Sequence, residues 1–447
     1  MTLLNISLEG ITISLYSLIP FILMLAAIAV FPLVANHFWE KNKNKLIISC
    51  ILSVPVVIYI LSYHLSSALI HTMVFDYIPF IILLGALFII TGGIFVDGDI
   101  EAKPAINSLF LGIGAILASF MGTTGAAMLL IRPVIKTNIE RKYKVHTILF
   151  FIGIVANCGG LLTPLGDPPL FMLYLRGAPF EWFLFNLIPE WAFTNGLLLL
   201  MYYVLDSYYY KKEPIANIIK DRTHKKPIRI RGKVNFIWLV GVVLSVAFLN
   251  KQYLTFITSE GTGRYYSFIR EAVIILMAIL SLALTKKSLR HSNKFTWAPI
   301  IEVAYLFLGI FITMVPCILY LETNAAKLGV QNVAQFYFYT GALSSFLDNT
   351  PTAVTFHSLA LGLATQFQTL FANIPLVAGI PVSLLRAIAT GAVFFGSMTY
   401  IGNGPNFMVK AIAEENKIKM PHFFSYMFKF SLLYLLPIFI LTYLIFL

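Results

Sequence analysis

Apolar runs of about twenty residues recur along the chain from Ile11 to Leu447, separated by shorter polar stretches. Each run is long enough to cross the ~30 Å hydrocarbon layer of a bilayer as a helix. The runs are continuous rather than alternating, which favours helices over a β-barrel. The clearest predicted spans cover about 11–34, 46–64, 77–96, 182–203, 234–250, 271–286, 298–320 and 422–446. The pattern predicts an all-α polytopic membrane protein.

Two regions, 106–175 and 331–412, are apolar but interrupted by Gly, Pro and polar residues. The stretch "NCGGLLTPLGDPPLFM", Asn157 to Met172, carries an aspartate and three prolines at a depth where a membrane helix should have neither. Unpaired backbone groups in lipid cost several kcal/mol each, so a break survives only where protein or trapped water surrounds it. These breaks therefore predict a cavity lined by the interrupting residues.

The two interrupted regions resemble each other. "SFMGTTGAA" (119–127) aligns with "SFLDNTPTA" (345–353), and "TPLGDPPLFM" (163–172) aligns with "TYIGNGPNFM" (399–408). The offsets are 226 and 236 residues, so order and spacing are preserved. We interpret this as an internal repeat whose halves each contain a helix, a hairpin, a broken helix and a closing helix. The expected organisation is an N-terminal helix pair (1–75), a first repeat (76–204), a basic loop with connecting helices (205–297) and a second repeat (298–447).

Charge then predicts the topology. The chain is 59% hydrophobic and 12% charged, with a net charge of +12, and its Lys and Arg lie mostly in a few loops, so we expect a topological role and no nucleic-acid partner. The basic clusters are Lys41 to Lys45, "RPVIKTNIERKYK" (132–144), the loop 204–233, "KKSLRHSNK" (286–294) and "KIKMPHFF" (417–424). All are cytoplasmic if 106–135 and 331–365 are re-entrant hairpins that turn at 120–125 and 346–352.

This assignment gives ten crossings, two re-entrant hairpins and both termini outside. Five crossings separate the hairpins, so they enter from opposite faces, as in the inverted-topology repeats of many secondary transporters. No basic residue precedes the first apolar run, so we expect that helix to be retained. The three cysteines, Cys50, Cys158 and Cys317, lie in apolar runs and are expected to pack rather than to form disulfides or a metal cluster.

Two carboxylates stand at the interruptions. Gly166 and Asp167 lie where one half-helix ends and another begins, and Asp348, Asn349 and Thr350 lie at the second hairpin tip. Carboxylate, amide, hydroxyl and carbonyl oxygens are hard ligands suited to Na⁺, and such a carboxylate can instead carry a proton. A purely structural alternative is that both aspartates cap half-helices.

Other residues at the interruptions have alternatives of their own. Gly122, Thr123 and Thr124 could simply allow close packing. Arg386 could balance a buried carboxylate or extend to the membrane surface. Glu190 lies deeper in an apolar run and is a weaker candidate for a proton path.

These motifs resemble the ion transporter superfamily, which includes arsenite permease-like proteins, dicarboxylate and citrate carriers, and D-type bacterial sodium:proton antiporters. "NCGGLLTPLGDPPLFM" is similar to the Asn-x-Gly-Gly and Gly-Asp stretch of those antiporters, and "SSFLDNTPT" resembles their Asp-Asn hairpin. The resemblance covers about 77–446. It implies substrate and sodium sites at hairpin tips and broken helices, usually in a homodimer whose transport domains move as elevators.

Carried over by position, the resemblance implies a set of site residues in each half. They are Thr123, Thr124, Asn157, Thr163, Gly166 and Asp167 in the first, and Ser345, Asp348, Asn349, Thr350, Thr399, Gly402 and Asn403 in the second. The chain departs from the dicarboxylate carriers, which have Ser-Asn-Thr at both tips, because its first tip is Gly122-Thr123-Thr124. It departs from the antiporters at Pro168-Pro169-Leu170, where they usually have polar residues.

The leading hypothesis from the sequence is a cation-coupled secondary transporter of the bacterial inner membrane, most specifically a Na⁺/H⁺ antiporter in which Asp348 and Asp167 bind the two cations alternately. The alternative is a Na⁺- or H⁺-coupled carrier of citrate or a related carboxylate. A channel is a third possibility, which the inverted repeat disfavours. No P-loop or enzyme motif is present, and no cofactor beyond Na⁺ or H⁺ is expected.

Overall fold

A computed structural model describes residues 13–223, 225–258, 261–367 and 374–447. The predicted beginning of the first span, at residue 11, lies outside them. The helices are α1 Ile19–Val34, α2 Asn36–Trp39, α3 Asn42–Ser62, α4 Ser66–His71, α5 Ile78–Thr91, α6 Pro104–Met121, α7 Thr123–Thr137, α8 Val145–Ile154, α9 Pro168–Leu175, α10 Phe180–Asn186, α11 Ile188–Lys211, α12 Ile215–Thr223, α13 Val234–Phe248, α14 Phe268–Leu284, α15 Lys287–Ser292, α16 Ala298–Asn324, α17 Val333–Phe346, α18 Asn349–Gln366, α19 Val382–Phe395, α20 Gly404–Glu415, α21 Phe423–Tyr426 and α22 Leu436–Phe446.

Shorter elements complete the described chain. The 3₁₀ turns are Leu15–Leu18, Cys158–Leu162, Thr262–Ser267, Ala325–Leu328 and Gly396–Met398, and π-helical stretches cover Thr72–Tyr77 and Met427–Leu435. The strands are β1 Phe95–Asp99, β2 Lys226–Arg231, β3 Leu376–Val377 and β4 Ile380–Pro381.

The structure confirms an all-α membrane fold. Among the described residues, eight helices are long and apolar enough to cross a membrane, or nine with the pair α10 and α11, which bends by 53° at Leu187. Helices occupy all the predicted spans. Several begin with a proline in the first turn, where its missing N–H leaves no bond unmade.

The first interrupted region forms a helical hairpin. Its arms, α6 and α7, meet at Gly122, which has φ +82°, a left-handed conformation that glycine adopts readily. At the other end of the arms, Asn107 and Asn138 exchange two side-chain hydrogen bonds of 2.9 Å. The start of α6 and the end of α7 therefore lie together.

The second interrupted region forms a matching hairpin from α17 and α18, which turns at Leu347 and Asp348. Gln366, at the end of α18, donates to Thr323 O at 3.0 Å in the last turn of α16 and accepts from Ala326 N at 3.1 Å just beyond it. This hairpin opens at the end of the molecule where α16 finishes.

The predicted basic segments gather at the opposite end of α16, here called the basic end. Asn42 donates to Ala298 O at 3.0 Å at the start of α16, and Asn293 donates to Gly92 O at 3.1 Å after α5. Lys136, in the last turn of α7, pairs with Asp97 at 3.0 Å. The first hairpin thus opens at the basic end and the second at the far end, the inverted arrangement expected of the repeat.

Lys294 extends the basic end to the end of α20, where it pairs with Glu415 at 3.6 Å. A small antiparallel sheet at the same end was not predicted. In it, β1 pairs with β2, with an irregularity between Asp97 and Asp99. The sheet connects the loop before the first hairpin to the large basic loop.

Candidate functional site

Asp167 lies where segments of the two predicted repeats meet. It is 1% exposed and precedes α9, the second half of the first broken helix. Three side chains donate to its carboxylate: Thr123 to Oδ1 at 2.7 Å, Asn349 to Oδ2 at 2.5 Å, and Asn403 to Oδ1 at 3.2 Å. Thr123 begins the return arm of the first hairpin, whereas Asn349 and Asn403 belong to the second repeat.

The donors of Asp167 correspond to one another across the repeat. Thr123 and Asn349 occupy the same position of the two hairpin tips, and Asn403 stands where the first repeat has Asp167 itself. The carboxylate is therefore held by both tips and both broken helices at once. Among the described residues its charge is balanced by hydroxyl and amide dipoles, not by an ion pair. The two amides turn their N–H groups to the carboxylate here, while amide and hydroxyl groups also carry the oxygen ligands that suit a small hard cation.

A chain of amides extends from this carboxylate. Asn403 also donates to Asn157 Oδ1 at 3.1 Å, and Asn157 in turn donates to Asn406 Oδ1 at 2.7 Å. Asn406 donates to Gly396 O at 2.8 Å and to Thr399 O at 2.9 Å, two carbonyls left free where α19 ends. The amides thus satisfy the unpaired backbone of the second break and fix the orientation of the groups beside Asp167.

The two breaks are braced by the same hydrogen bonds. Thr163 donates to Ser119 O in the first half, and Thr399 donates to Ser345 O in the second. Each threonine hydroxyl also accepts from the backbone N–H two residues later, at 3.2 Å in both halves. This equivalence supports the internal repeat inferred from the sequence and gives Thr163 and Thr399 a structural task.

The glycines of the breaks allow close backbone approach. A Cβ on Gly402 would come within 2.7 Å of both Gly396 O and Ser344 O. Gly166 packs against Gly160 in the same way and accepts from Thr123 N at 2.8 Å, which docks the first hairpin tip onto the break.

Asp348 is arranged differently from Asp167. Its side chain accepts from Thr350 N at 2.9 Å and caps α18, as the structural alternative predicted. The next residue, Asn349, is the one that donates to Asp167. The two aspartates therefore share one region, but Asp167 alone of the two receives donors from both repeats.

The remaining predicted residues surround this core. Thr350 is buried and donates weakly to Asn349 Oδ1 at 3.4 Å. The Ser345 hydroxyl turns back to Gly341 O at 2.9 Å, and Thr124 is half-buried in the first turn of α7. All thirteen predicted positions thus lie at the hairpin tips and breaks.

Arg386 resolves one of the open alternatives. Its Nε donates to Glu190 Oε1 at 2.9 Å, and the guanidinium makes a second contact with the same oxygen. Glu190 is fully buried on α11, and its other oxygen has no hydrogen-bond partner among the described residues. This ion pair connects the first repeat to the second and neutralises two charges that would otherwise be costly inside a membrane.

Two features escaped the sequence analysis. Asn406 lies inside the repeated motif "TYIGNGPNFM", where the first repeat has the apolar Leu170 at the same position. A polar residue that replaces an apolar one within the repeat is a signal that could have identified Asn406. A second buried cluster occupies the far end of α9, where Arg176 donates to Ser358 Oγ at 3.2 Å and lies 3.8 Å from Asp76. No sequence motif indicated that cluster.

These features define a class: a multi-pass, all-helical membrane protein in which two helical hairpins meet at a buried carboxylate. Residues 10–447 match the family described as "Putative citrate transport". Because this match covers nearly the whole chain, the protein belongs to that family of citrate-transporter-like membrane proteins. No curated protein matches the chain.

Proposed function

We propose that the protein is a cation-coupled secondary transporter that carries citrate or a related carboxylate, with Asp167 binding the coupling Na⁺ or H⁺. The observation that carries this proposal is the junction at Asp167, a buried carboxylate held by donors from both repeats. Family membership supports the substrate class. A cation bound at this carboxylate would change the contacts of both hairpin tips, which couples its binding to their position.

The hairpins suggest how access alternates. Each has its tip beside Asp167 and its open end at a different end of the molecule. Movement of one repeat relative to the other would expose the central site first from one side and then from the other. Half-helix N-termini at the tips and at α9 and α20 would supply partial positive charge for a substrate carboxylate.

Na⁺/H⁺ exchange is the second candidate, favoured by a separate observation. The region holds two carboxylates, since Asp348 directly precedes the Asn349 that donates to Asp167, while the donors on Asp167 are uncharged. A polycarboxylate usually meets Arg or Lys in its site, whereas a cation exchanger needs only the carboxylates.

The decisive experiment uses the purified full chain in liposomes. Uptake of labelled citrate should require an inward Na⁺ or H⁺ gradient and should be lost in Asp167→Asn. The matched control is Asp97→Asn, which removes an aspartate from a surface ion pair with Lys136 and should transport normally. Citrate-independent collapse of a pH gradient on adding Na⁺ would favour exchange instead. If the Asp167→Asn variant kept both citrate uptake and the Na⁺-dependent collapse of the pH gradient, the assignment of Asp167 to the site would be wrong.

A further inference from the structure

The basic loop carries apolar side chains on its surface. In α12, Ile215 and Ile219 are 76% and 57% exposed and lie on one face, four residues apart. In β2, Ile228 and Ile230 are 41% and 40% exposed and, as alternate residues of a strand, point to the same side. None of these isoleucines belongs to an apolar run long enough to span a bilayer.

The chain path puts this surface at the level of the membrane face. α12 begins four residues after α11 ends at Lys211. Near that end of α11, Tyr203 and Tyr208 are exposed, as is typical of the aromatic belt at a bilayer interface. A short amphipathic helix so close to a spanning helix can bury its apolar face among lipid headgroups.

The exposed charges that the loop itself contributes are all basic, although Asp97 and Asp99 of β1 lie opposite Arg229 and Lys226 of β2. The acids of the loop, Asp206, Glu213 and Asp221, are all buried. Glu213 accepts from Tyr143 N at 2.7 Å and Asp221 accepts from Ala102 N at 2.9 Å, so both carboxylates face the protein. The exposed bases of the loop are Lys211, Lys212, Lys220, Arg222, Lys225, Lys226, Arg229, Arg231 and Lys233.

The surface is fastened to the transporter body. β2 pairs with β1 from Phe95 to Asp99. Glu101, just after β1, accepts from Arg222 at 2.9 Å and from Lys225 at 2.8 Å. A surface fixed in this way can maintain one depth relative to the helices beside it.

From these observations we propose that α12 and β2 form a docking surface for the anionic phospholipids of the surrounding bilayer at the basic end. The isoleucines enter the headgroup region, and the lysines and arginines pair with lipid phosphates. The reasons are the charge complementarity and the position at the end of a spanning helix. A cytosolic protein partner is the competing occupant, and the experiment separates the two.

The test places an environment-sensitive fluorophore on α12. The full chain, with its three cysteines replaced, receives Ile219→Cys and is labelled in nanodiscs that contain brominated lipid. The matched control is Asn217→Cys, on the opposite face of the same helix. We expect strong quenching at position 219 in discs with about one-third anionic lipid, weak quenching in neutral discs, and weak quenching at position 217 in both.

Charge dependence completes the test. The triple change Lys226→Gln, Arg229→Gln and Arg231→Gln should weaken the anionic-lipid effect about fivefold for each charge removed. About 1 M salt should have the same effect on the chain with its charges intact, since it shortens the Debye length to ~3 Å. Equal quenching at 219 and 217, or in neutral and anionic discs, would overturn the proposal and leave the surface to a protein partner.

Discussion

The two hairpin tips occupy equivalent positions but distribute their chemistry differently. At the first tip, Gly122 has φ +82° and ψ 145°, whereas its counterpart Asp348 has φ −58° and ψ 135°. The first tip therefore requires a residue without a side chain, and its repeat carries its carboxylate at the break, as Asp167. The second repeat carries the carboxylate at the tip and an amide, Asn403, at the break.

This exchange produces an asymmetric centre from symmetric parts. Asp167 receives Thr123 from its own repeat and Asn349 and Asn403 from the other, whereas Asp348 caps the helix that follows it. The cation site that we propose would need one carboxylate with converging side chains, and divergence at two corresponding positions gives Asp167 that arrangement. The comparison predicts that the two aspartates are not interchangeable.

The largest effect is expected for Asp167→Asn. The amide has one acceptor oxygen for three donors and lacks the charge, and hydrogen bonds to charged groups contribute about 1.5–3 kcal/mol each. Transport in liposomes should fall about 100-fold or more. The protein should still purify as a folded species in size-exclusion chromatography, and a variant with normal transport would refute the central role of this carboxylate.

An exchange across the repeat should recover part of that loss. Asp167→Asn combined with Asn403→Asp moves the carboxylate to the equivalent position of the second repeat, beside the same Asn157. Because the pair still has one charge and one amide in contact, we expect transport about tenfold above the Asp167→Asn single variant. If transport did not recover, the hairpin-tip donors Thr123 and Asn349 would require the carboxylate at position 167, and a charge at position 403 could not replace it.

Asp348 should show an intermediate effect that separates its two roles. Asp348→Asn keeps a good N-cap, so the free energy of unfolding should change by less than about 0.5 kcal/mol, while Asp348→Ala should lose about 1 kcal/mol. We expect Asp348→Asn to lower transport about tenfold because it removes the second negative charge near Asp167. Unchanged transport in the Asn variant would leave capping as the sole task of Asp348.

Asn406→Leu should have a smaller effect on transport, because Asn406 acts only by holding Asn157 in position. The substitution installs the residue that the first repeat has, Leu170, and removes one of the two acceptors of the Asn157 amide, the other being Ile152 O. We expect the KM for the substrate to rise about fivefold with little change in the maximal rate, since Asn406 is not in contact with Asp167. Asn406→Gln, which keeps an amide, should recover part of the affinity, and a fall in rate at constant KM would contradict this positioning role.

The smallest effect concerns the open ends of the hairpins. Burial raises the pKa of Glu101, but hydrogen bonds from Lys225, Lys103 and Arg222 outweigh this and hold it at about 2. A depressed pKa stabilises the fold above the unfolded value of 4.5, and this contribution is lost as the pH falls from there towards 2. Acid should therefore loosen the start of α6 before that of α17, which is capped by the side chains of Asn332 and Gln335, two amides that do not titrate.

Amide hydrogen exchange at the two hairpin entrances provides the measurement for that comparison. In the unmodified chain, exchange near 104–110 should rise below about pH 4.5 relative to exchange near 333–340. In Glu101→Gln the two regions should keep a constant ratio. A ratio that changes equally in both proteins would remove Glu101 as the cause.

Much of the fold was predictable because a bilayer imposes simple constraints. Apolar run lengths located the spans, and the repeated motifs located both hairpin tips, at Gly122 and at Leu347 and Asp348. The contacts of Arg386 and Asn406 were not predictable in this way. Each depends on a partner about 200 or more residues away in the chain, and local pattern contains no information about such pairs.

The amino-acid sequence by itself determined a polytopic helical protein, and it predicted an inverted repeat with a set of polar residues confined to its interruptions. These follow from hydrophobic run length and from the cost of unpaired backbone in lipid, both of which act locally. Only the tertiary structure decided that Thr123, Asn349 and Asn403 converge on Asp167 while Asp348 caps its own helix. That choice depends on how the two repeats pack against each other, since a carboxylate becomes a shared centre only when donors from distant segments reach it.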